Sequence, residues 1–288
     1  MRARSLGLLA LALSVWLSAP ALAQVTEGDD APLRFGRFEH QGEAHYGVLA
    51  SGGVHQLTKS FLEPDVVVTG TVFKLEEVKL LAPIVPSKVI AVARNYKGHG
   101  GAKKAELEFF AKLPSSLTGL DAGIVPPPGS KDLHFEGEMA IVMAARTRNV
   151  TVEKAKDSIF GVTAANDVTE RSYPFEPFDL LRAKAFDTSG PLGPWIVPGL
   201  SYDRLKLTTR LNGKVVQQAS TSEMLWKTAE IVAAVSRYIT LEPGDVILTG
   251  TPGETTAMKP GDIVEVELEG VGVLRNKVEA SAEDAPKP

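Results

Sequence analysis

Short runs of alternating apolar and polar residues, separated by Gly, Pro and Asp, dominate the chain. Three such runs lie between Leu33 and Leu57, around turn signals at Gln41-Gly42 and Ser51-Gly52-Gly53. Near the C-terminus, residues 263–268 alternate cleanly and are followed by a hairpin signal at Gly270-Val271-Gly272. The pattern predicts a chain in which strands clearly outnumber helices.

Helical periodicity is confined to a few segments. The best one covers residues 228–239, where Ile231, Val232, Val235 and Ile239 share one helical face. Residues 151–159 predict a short helix capped by Thr151, and AELEFFAKL at 105–113 predicts another. There is no βα alternation and no glycine fingerprint of the dinucleotide-binding type. We therefore expect an α+β fold that is predominantly β.

The first 23 residues have the pattern of a secretory signal peptide. Arg2 and Arg4 precede an uncharged run at 6–19, and Ala21-Leu22-Ala23 is typical of a cleavage site. The run is shorter than the roughly 20 residues that a membrane-spanning helix needs, so we favour cleavage after Ala23 over an anchor. The two arginines are not adjacent, so the twin-arginine signal is not matched. These features predict an exported protein, in the periplasm of a bacterium, with no membrane attachment after cleavage.

Composition and charge narrow the class of the mature protein. The full chain of 288 residues has a formal net charge of −4, and loss of the two signal-peptide arginines makes it −6. This charge argues against nucleic acid or an anionic membrane as a partner. The absence of cysteine excludes disulfides, thiolate metal sites and cysteine nucleophiles. A connector with two prolines at 81–88 predicts a small β-domain at 24–83, a larger domain at 84–280 and a C-terminal tail at 281–288.

Two glutamates interrupt the otherwise apolar strand predicted at 133–143, LHFEGEMAIVM. Side chains two residues apart share one face of a strand, so Glu136 and Glu138 have Cα atoms about 6.6 Å apart and can reach a common point. Burial of both charges without compensation costs several kcal/mol, and a cation between them removes the conflict. Gly137 lies between them, and a glycine within a strand often marks a place where another segment approaches the backbone closely on the opposite face. The alternative is a Glu-x-Glu pair on a solvent-exposed strand face. A third ligand candidate is Asp167, which ends the apolar strand FGVTAAND and could otherwise be a turn residue.

Several motifs occur in an order that resembles the fumarylacetoacetate hydrolase family. They are ARNYKGH at 93–99, FAKLPSSL at 110–117, Glu136-Gly137-Glu138, NDVTER at 166–171, AKAFDTSGPLGPW at 183–195, LNGKVVQQ at 211–218 and LEPGDVILTGTP at 241–252. The resemblance covers residues 88–279, and the segment before it is similar to the small N-terminal β-domain of many members.

The resemblance implies a mixed β-roll of layered sheets, a homodimer, and one divalent cation held by Glu136, Glu138 and Asp167. An all-oxygen site suits a hard cation, Mg²⁺ or else Mn²⁺ or Ca²⁺. The implied substrate is a small 2-oxo or diketo acid. The implied reaction is C–C bond hydrolysis of the acylpyruvate or fumarylacetoacetate type through a metal-stabilised enolate, with isomerisation or hydration of 2-oxo-enedioates and decarboxylation of oxaloacetate as alternatives.

The same resemblance assigns roles to further residues. Lys184 would stabilise charge on the substrate, His99 would be the general base of the lid, and Gly250 and Thr251 would contact substrate. Arg94 is a candidate partner for a substrate carboxylate, and Arg171 is expected to form a structural ion pair.

The chain departs from the family pattern at two positions. Ala102 stands where many members have the glutamate that pairs with the lid histidine, and Pro174 stands where larger hydrolases have a glutamine. Glu106 and Glu108 are candidates to replace the lid glutamate. Two hypotheses follow: a metal-dependent enzyme, and an exported carboxylate-binding protein that keeps the metal site without catalysis.

Overall fold

A computed structural model describes residues 32–99, 106–174 and 179–281 of the chain. The predicted signal peptide, Ala102 and most of the predicted C-terminal tail lie outside these ranges. The strands are β1 Arg34–His40, β2 Glu43–Ala50, β3 Gly53–Leu57, β4 Val68–Phe73, β5 Lys79–Leu80, β6 Val89–Ala93, β7 Glu108–Lys112, β8 Leu117–Thr118, β9 Gly123–Ile124, β10 Leu133–His134, β11 Gly137–Met143, β12 Ile159–Asn166, β13 Thr169–Glu170, β14 Gly190–Val197, β15 Lys206–Leu211, β16 Lys214–Ser220, β17 Val246–Leu248, β18 Ile263–Leu268 and β19 Gly272–Val278.

Helices are few and short in the described ranges. They are α1 Val152–Ala155, α2 Leu180–Lys184 and α3 Thr228–Ser236, with single 3₁₀ turns at Leu75–Glu77, Pro114–Ser116, Lys156–Ser158, Tyr202–Arg204 and Thr221–Glu223. None of these helices combines the length and the hydropathy needed to cross a membrane. The predominantly β fold predicted from the sequence is confirmed.

Most strands belong to one large mixed sheet. Its order is β4-β3-β2-β1-β14-β12-β11-β17-β6-β7, with β5 beside β1 and β8 beside β14. A second sheet has the order β16-β15-β18-β19-β9, and β10 pairs with β13 alone. The pairs β17–β6, β14–β8 and β19–β9 are parallel, and the others are antiparallel. The two larger sheets pack together through Val162 and Ala164 of β12 and Leu207, Val266 and Leu268 of the second sheet.

The N-terminal strands extend the large sheet. β1 to β3 form the three antiparallel strands that the turn signals predict, and β4 extends this meander without having been predicted. β1 pairs with β14 through Phe35 and Ile196. The rings of Phe35, Phe61 and Phe160 lie 5.1–5.3 Å apart, so the N-terminal and central strands share an aromatic cluster. The boundary at residues 83 and 84 stays a prediction.

Helix α3 covers the central strands as its periodicity predicts. Ile231, Val232 and Val235 are completely buried and pack against Ile141 of β11 and Ile247 of β17. The helix ends at Ser236, before Ile239, which is packed at the edge of the same cluster.

The helix predicted over 105–113 is wrong. Residues 108–112 form β7, which pairs antiparallel with β6 through Val92 and Phe109 and through Ala91 and Phe110. Adjacent aromatic residues favour a pleated, half-buried surface, and pairing with the apolar edge of β6 outweighs the helix propensity of the Ala, Glu and Lys residues.

Candidate active site

Three carboxylates converge at the centre of the large sheet. Glu136, Glu138 and Asp167 each offer an oxygen, and these oxygens lie within 4.8 Å of one another. All three residues are buried, with 5% of Glu136, 2% of Glu138 and 1% of Asp167 exposed. Buried like charges at this separation require compensation by cations. The structure thus brings together the three residues that the sequence suggested as metal ligands.

The strand that carries the glutamates is interrupted, contrary to the single strand expected over 133–143. β10 ends at His134, where it pairs with β13, and β11 begins only at Gly137. Glu136 lies between them, with its backbone N–H donating to the Asn166 side chain (2.9 Å) and its carbonyl accepting from Asp167 N–H (2.9 Å). The break places Glu136 directly beside Asp167.

Gly137 permits the close approach between its backbone and the opposite face that the sequence suggested. A Cβ atom at this position would lie 2.0 Å from Thr209 Oγ1 on the second sheet, a distance that atoms cannot adopt. Any larger residue would therefore force Thr209, or the second sheet that carries it, to move away from the strand that carries the glutamates.

Two buried lysines compensate the carboxylates. Lys184, at the end of α2, donates from Nζ to Glu136 Oε2 (2.7 Å) and Asp167 Oδ2 (2.8 Å). Lys112, at the end of β7, donates to Asp167 Oδ1 (2.7 Å), to Ser189 Oγ (3.3 Å) and to the Lys184 carbonyl. The sequence gives no sign of this role for Lys112, although the residue lies in the FAKLPSSL motif at 110–117.

The charges of the site shift one another's pKa values. Burial raises the pKa of Glu138 well above its usual range, and the nearby Asp167 and Glu136 raise it further. Burial also opposes the charge of Asp167, but the ammonium groups of Lys112 and Lys184 outweigh this and lower its pKa. Burial lowers the pKa of Lys112, whereas Asp167 and Glu136 overcome burial and raise that of Lys184. Glu138 is thus the carboxylate whose charge is least compensated by the protein.

The donor set fits a hard divalent cation. Glu136, Glu138 and Asp167 would hold it through oxygen atoms alone, as Mg²⁺, Mn²⁺ and Ca²⁺ prefer. Glu138 Oε2 accepts a hydrogen bond from Gly250 N–H (2.6 Å), so Gly250 orients this carboxylate. A cation would stabilise the ionised form of Glu138, which burial disfavours.

The carboxylates open into a cavity of about 430 Å³. Charged and aromatic groups line most of it, and the full set is Val92, Ala93, Arg94, His99, Glu108, Phe109, Phe110, Glu136, Glu138, Asp167, Arg171, Leu180, Lys184 and Thr251. The predicted residues Arg94, His99, Lys184 and Thr251 therefore face one space together with the carboxylates. Such a concave, half-apolar cavity with convergent polar groups is typical of a small-molecule site.

The ring of His99 is held in one orientation. Nδ1 lies 2.6 Å from the carbonyl oxygen of Gly253, and Nε2 lies 3.7 Å from Glu136 Oε1. A carbonyl oxygen can only accept, so Nδ1 carries a hydrogen. In the neutral ring, Nε2 is then the nitrogen that can take a proton, and it faces the carboxylates.

The two arginines of the cavity have different partners. Arg171 Nη2 donates to Glu136 Oε1 (2.7 Å), the ion pair expected from the sequence, and to Thr255 Oγ1 (3.1 Å). Arg94 has a φ of 54° and forms an ion pair with Glu108 at the more exposed end of the cavity. Glu108 is therefore engaged by Arg94.

Thr251 contributes mainly to the frame of the site. Its hydroxyl donates to the Gly137 carbonyl (2.8 Å) and accepts from Gln217 Nε2 (3.0 Å). His134, next to the glutamates in sequence, lies outside the set that lines the cavity and contacts Asp132 (3.0 Å) and Thr255 (2.8 Å).

Family comparison agrees with this geometry. The family described as fumarylacetoacetate (FAA) hydrolase, C-terminal, matches residues 88–279, which is more than half of the chain. The chain belongs to the fumarylacetoacetate hydrolase family. A second family, described as Rv2993c-like, N-terminal, matches residues 33–83, which include β1 to β4.

Individual relatives extend over most of the chain. An uncharacterized protein from Archaeoglobus fulgidus is 42% identical over 79% of this chain and 93% of its own length. The human mitochondrial oxaloacetate tautomerase FAHD2A is 35% identical over 86% of this chain and 80% of its own length. The crystal structure of 5-carboxymethyl-2-hydroxymuconate delta-isomerase from Mycobacterium smegmatis has a TM-score of 0.81 at 34% identity, covering 86% of this chain and 100% of that one. Members of the fumarylacetoacetate hydrolase family include isomerases, tautomerases and hydrolases, so the family establishes an enzyme class without establishing one reaction.

Proposed function

We propose that this protein is a divalent-metal-dependent enzyme that enolises a small 2-oxo acid by moving a proton between carbon and His99. The observation that carries the proposal is the placement of His99 Nε2 in one cavity with the Glu136, Glu138 and Asp167 carboxylates. Enolisation of a carbonyl compound requires a base that accepts the proton and a cation that stabilises the negative charge, and both would lie in this one cavity.

The metal site has a defined role in this proposal. A divalent cation held by Glu136, Glu138 and Asp167 would act as a Lewis acid that stabilises negative charge on the keto oxygen of the substrate. The ammonium group of Lys184, which contacts two of these carboxylates, adds positive charge at the same end of the cavity. The guanidinium group of Arg94, at the more exposed end of the cavity, is suited to a distal carboxylate of the substrate, which would replace Glu108 as its partner.

His99 supplies the proton transfer. Its Nε2 takes the proton from the carbon next to the keto group, and the electrons of that C–H bond form the C=C bond of the enolate. Nε2 then returns the proton, either to the enolate oxygen or to another carbon of the conjugated system. The Nδ1–H donated to Gly253 keeps Nε2 available as the acceptor throughout.

We infer that tautomerisation or double-bond isomerisation is the net reaction. One proton leaves and one returns, so a single oriented base suffices. Hydrolysis of a C–C bond, which the sequence alone favoured, additionally requires an activated water and a protonated carbon leaving group. The chain has Ala102 where many members have the glutamate that supports the lid histidine, and Nδ1 contacts a neutral carbonyl instead. The similarity to a tautomerase and to an isomerase supports the same choice.

A substrate panel tests the proposal. The purified protein, loaded with Mg²⁺ or Mn²⁺, should speed the loss of enol absorbance of oxaloacetate above the rate with the metal alone, should form no pyruvate, and should leave an acylpyruvate uncleaved. Cleavage of the acylpyruvate would establish C–C hydrolysis instead. Absence of turnover on every 2-oxo acid, with bound Mn²⁺ demonstrated by electron paramagnetic resonance, would overturn the enzyme proposal. Stabilisation by a 2-oxo acid without product would then favour the carboxylate-binding alternative.

The N-terminal sequence and the family support two further proposals. The pattern of residues 1–23 supports export to the periplasm, so the 2-oxo acid would be met outside the cytoplasm. The resemblance to the family supports a homodimer, and the net negative charge argues against nucleic acid as a partner.

A further inference from the structure

Gln217 reaches the active site from the second sheet. It lies on β16, only 5% of it is exposed, and its amide contacts the first residue of β11 and the loop that follows β17. Nε2 donates to Thr251 Oγ1 (3.0 Å) and to the Pro252 carbonyl (2.5 Å), while Oε1 accepts from Gly137 N–H (3.3 Å). Removal of this buried amide would be destabilising, because each of its three hydrogen-bond partners would be left as an unsatisfied buried polar group.

The first consequence concerns the two glutamates. Gly137 separates Glu136 from Glu138, and both of its backbone polar groups are engaged. Its N–H donates to Gln217 and its carbonyl accepts from Thr251, whose hydroxyl in turn accepts from Gln217. Gln217 therefore restrains the backbone that sets the distance between the two carboxylates.

The second consequence concerns His99. The Pro252 carbonyl is held by Gln217, and the carbonyl of the next residue, Gly253, accepts from His99 Nδ1. Gly250 and Gly253 have φ values of 95° and 65°, in the region that glycine adopts easily. A segment bounded by two such residues needs side-chain contacts to hold its carbonyls in place, and Gln217 supplies one of them.

We propose that Gln217 is a positioning residue that couples the metal-binding glutamates to the orientation of the His99 ring. One side chain restrains Gly137 and the 252–253 segment at the same time, so the acceptor nitrogen and the cation site keep a fixed relation. The catalytic consequence rests on the proposed function, whereas the orientation of His99 does not.

Gln218 is a matched control. It is the same residue type, one position along β16, but its side chain is exposed and contacts Thr208 at 3.5 Å. Neighbouring residues on a strand face opposite sides, so Gln218 cannot reach the contacts of Gln217.

The test compares Gln217→Met with Gln218→Met. Methionine keeps the length of the side chain and removes its hydrogen bonds. For Gln217→Met we expect the nitrogen-15 spectrum of labelled histidine to lose the single Nδ1–H tautomer of His99, assigned with a His99→Gln variant. We also expect Mn²⁺ affinity and kcat each to fall by about tenfold or more, with KM for oxaloacetate within threefold. Gln218→Met should match the wild type in every measurement.

The proposal would be overturned by a Gln217→Met protein with the wild-type histidine spectrum and wild-type Mn²⁺ affinity. If that variant does not fold, Gln217→Glu gives the second test. Glutamate can still accept from Gly137 N–H but cannot donate to the Pro252 carbonyl, so the His99 tautomer should change. Its negative charge would itself alter Mn²⁺ affinity, so the histidine spectrum alone is read for this variant. If the wild type has no activity at all, the proposed reaction fails, and the spectrum and the Mn²⁺ titration still decide the role of Gln217.

Discussion

Replacement of Lys112 by methionine tests how the protein compensates its buried carboxylates when no metal is bound. Lys112 is 1% exposed, and its ammonium group donates to Asp167, to Ser189 and to the Lys184 carbonyl. Methionine has a similar length and fills the space with apolar atoms. The substitution therefore removes a charge and three hydrogen bonds with little change in packing.

The size of the effect follows from what Asp167 retains. Removal of one partner of a buried ion pair costs about 3–5 kcal/mol, because an uncompensated charge remains. Asp167 still accepts from Lys184 Nζ at 2.8 Å, and the Lys184 carbonyl still accepts from Ser189 Oγ at 3.0 Å. Burial lowers the pKa of Lys112, so removing its charge also recovers some desolvation energy. We therefore expect a loss at the lower end, about 3 kcal/mol.

Thermal unfolding in a chelating buffer measures this loss. For a chain of this size, about 3 kcal/mol corresponds to a fall in Tm of roughly 6–12 °C. Saturating Mn²⁺ should recover part of the difference, because the cation returns positive charge to Asp167. Arg146→Met is the control, since Arg146 forms an exposed ion pair with Glu242 that should contribute about 1 kcal/mol or less. A Lys112→Met protein no less stable than the control, with and without Mn²⁺, would refute this account of the charge compensation.

Four further predictions concern the carboxylates and the cavity. Glu138→Gln should raise the stability of the metal-free protein at neutral pH. The pKa of Glu138 is raised in the folded protein, so the wild type loses stability as the pH rises through that pKa and the buried carboxylate ionises. Denaturant titration in a chelating buffer at several pH values checks this. The same raised pKa predicts that the Mn²⁺ affinity of the wild type increases with pH until Glu138 is ionised. Calorimetric titration measures this affinity and the number of protons released on binding. His99→Gln should lower kcat by about 10²-fold or more while leaving Mn²⁺ affinity unchanged. Glu108→Gln should release Arg94 and lower KM for oxaloacetate relative to a 2-oxo acid without a distal carboxylate, and equal KM changes for both would contradict the assigned contact.

Local patterns predicted the elements whose stability is decided locally. The alternation at 263–268 and the turn residues around it specify β18 and its hairpin to β19, and the apolar face of 228–239 specifies α3. Residues 108–112 were predicted wrongly because their state depends on β6, which lies fifteen or more residues earlier in the chain and offers an apolar edge. The strand break at Phe135 and Glu136 depends on β13 and Asp167 in the same way.

The site residues show the same difference between local signals and long-range contacts. Glu136 and Glu138 were conspicuous because two charges in an apolar run conflict with burial within a few residues of sequence. Lys112 and Gln217 give no such signal: a lysine before Leu-Pro and a glutamine on an edge strand are ordinary surface residues by composition. Their burial arises only when β7 pairs with β6 and the second sheet packs on the large one, so their roles could be found only in three dimensions.

The charge balance of the site connects these observations to the substrate. Three buried carboxylates face three cationic side chains, and the six residues are Glu136, Glu138, Asp167, Lys112, Lys184 and Arg171. With all six ionised the group is neutral, so a bound divalent cation leaves an excess of two positive charges in a site of low dielectric. An excess of that size in a cavity of about 430 Å³ is best balanced by a small anion, which agrees with the 2-oxo acid proposed as substrate. The same balance predicts that removal of the metal leaves the fold intact, because Lys112 and Lys184 compensate most of the carboxylate charge.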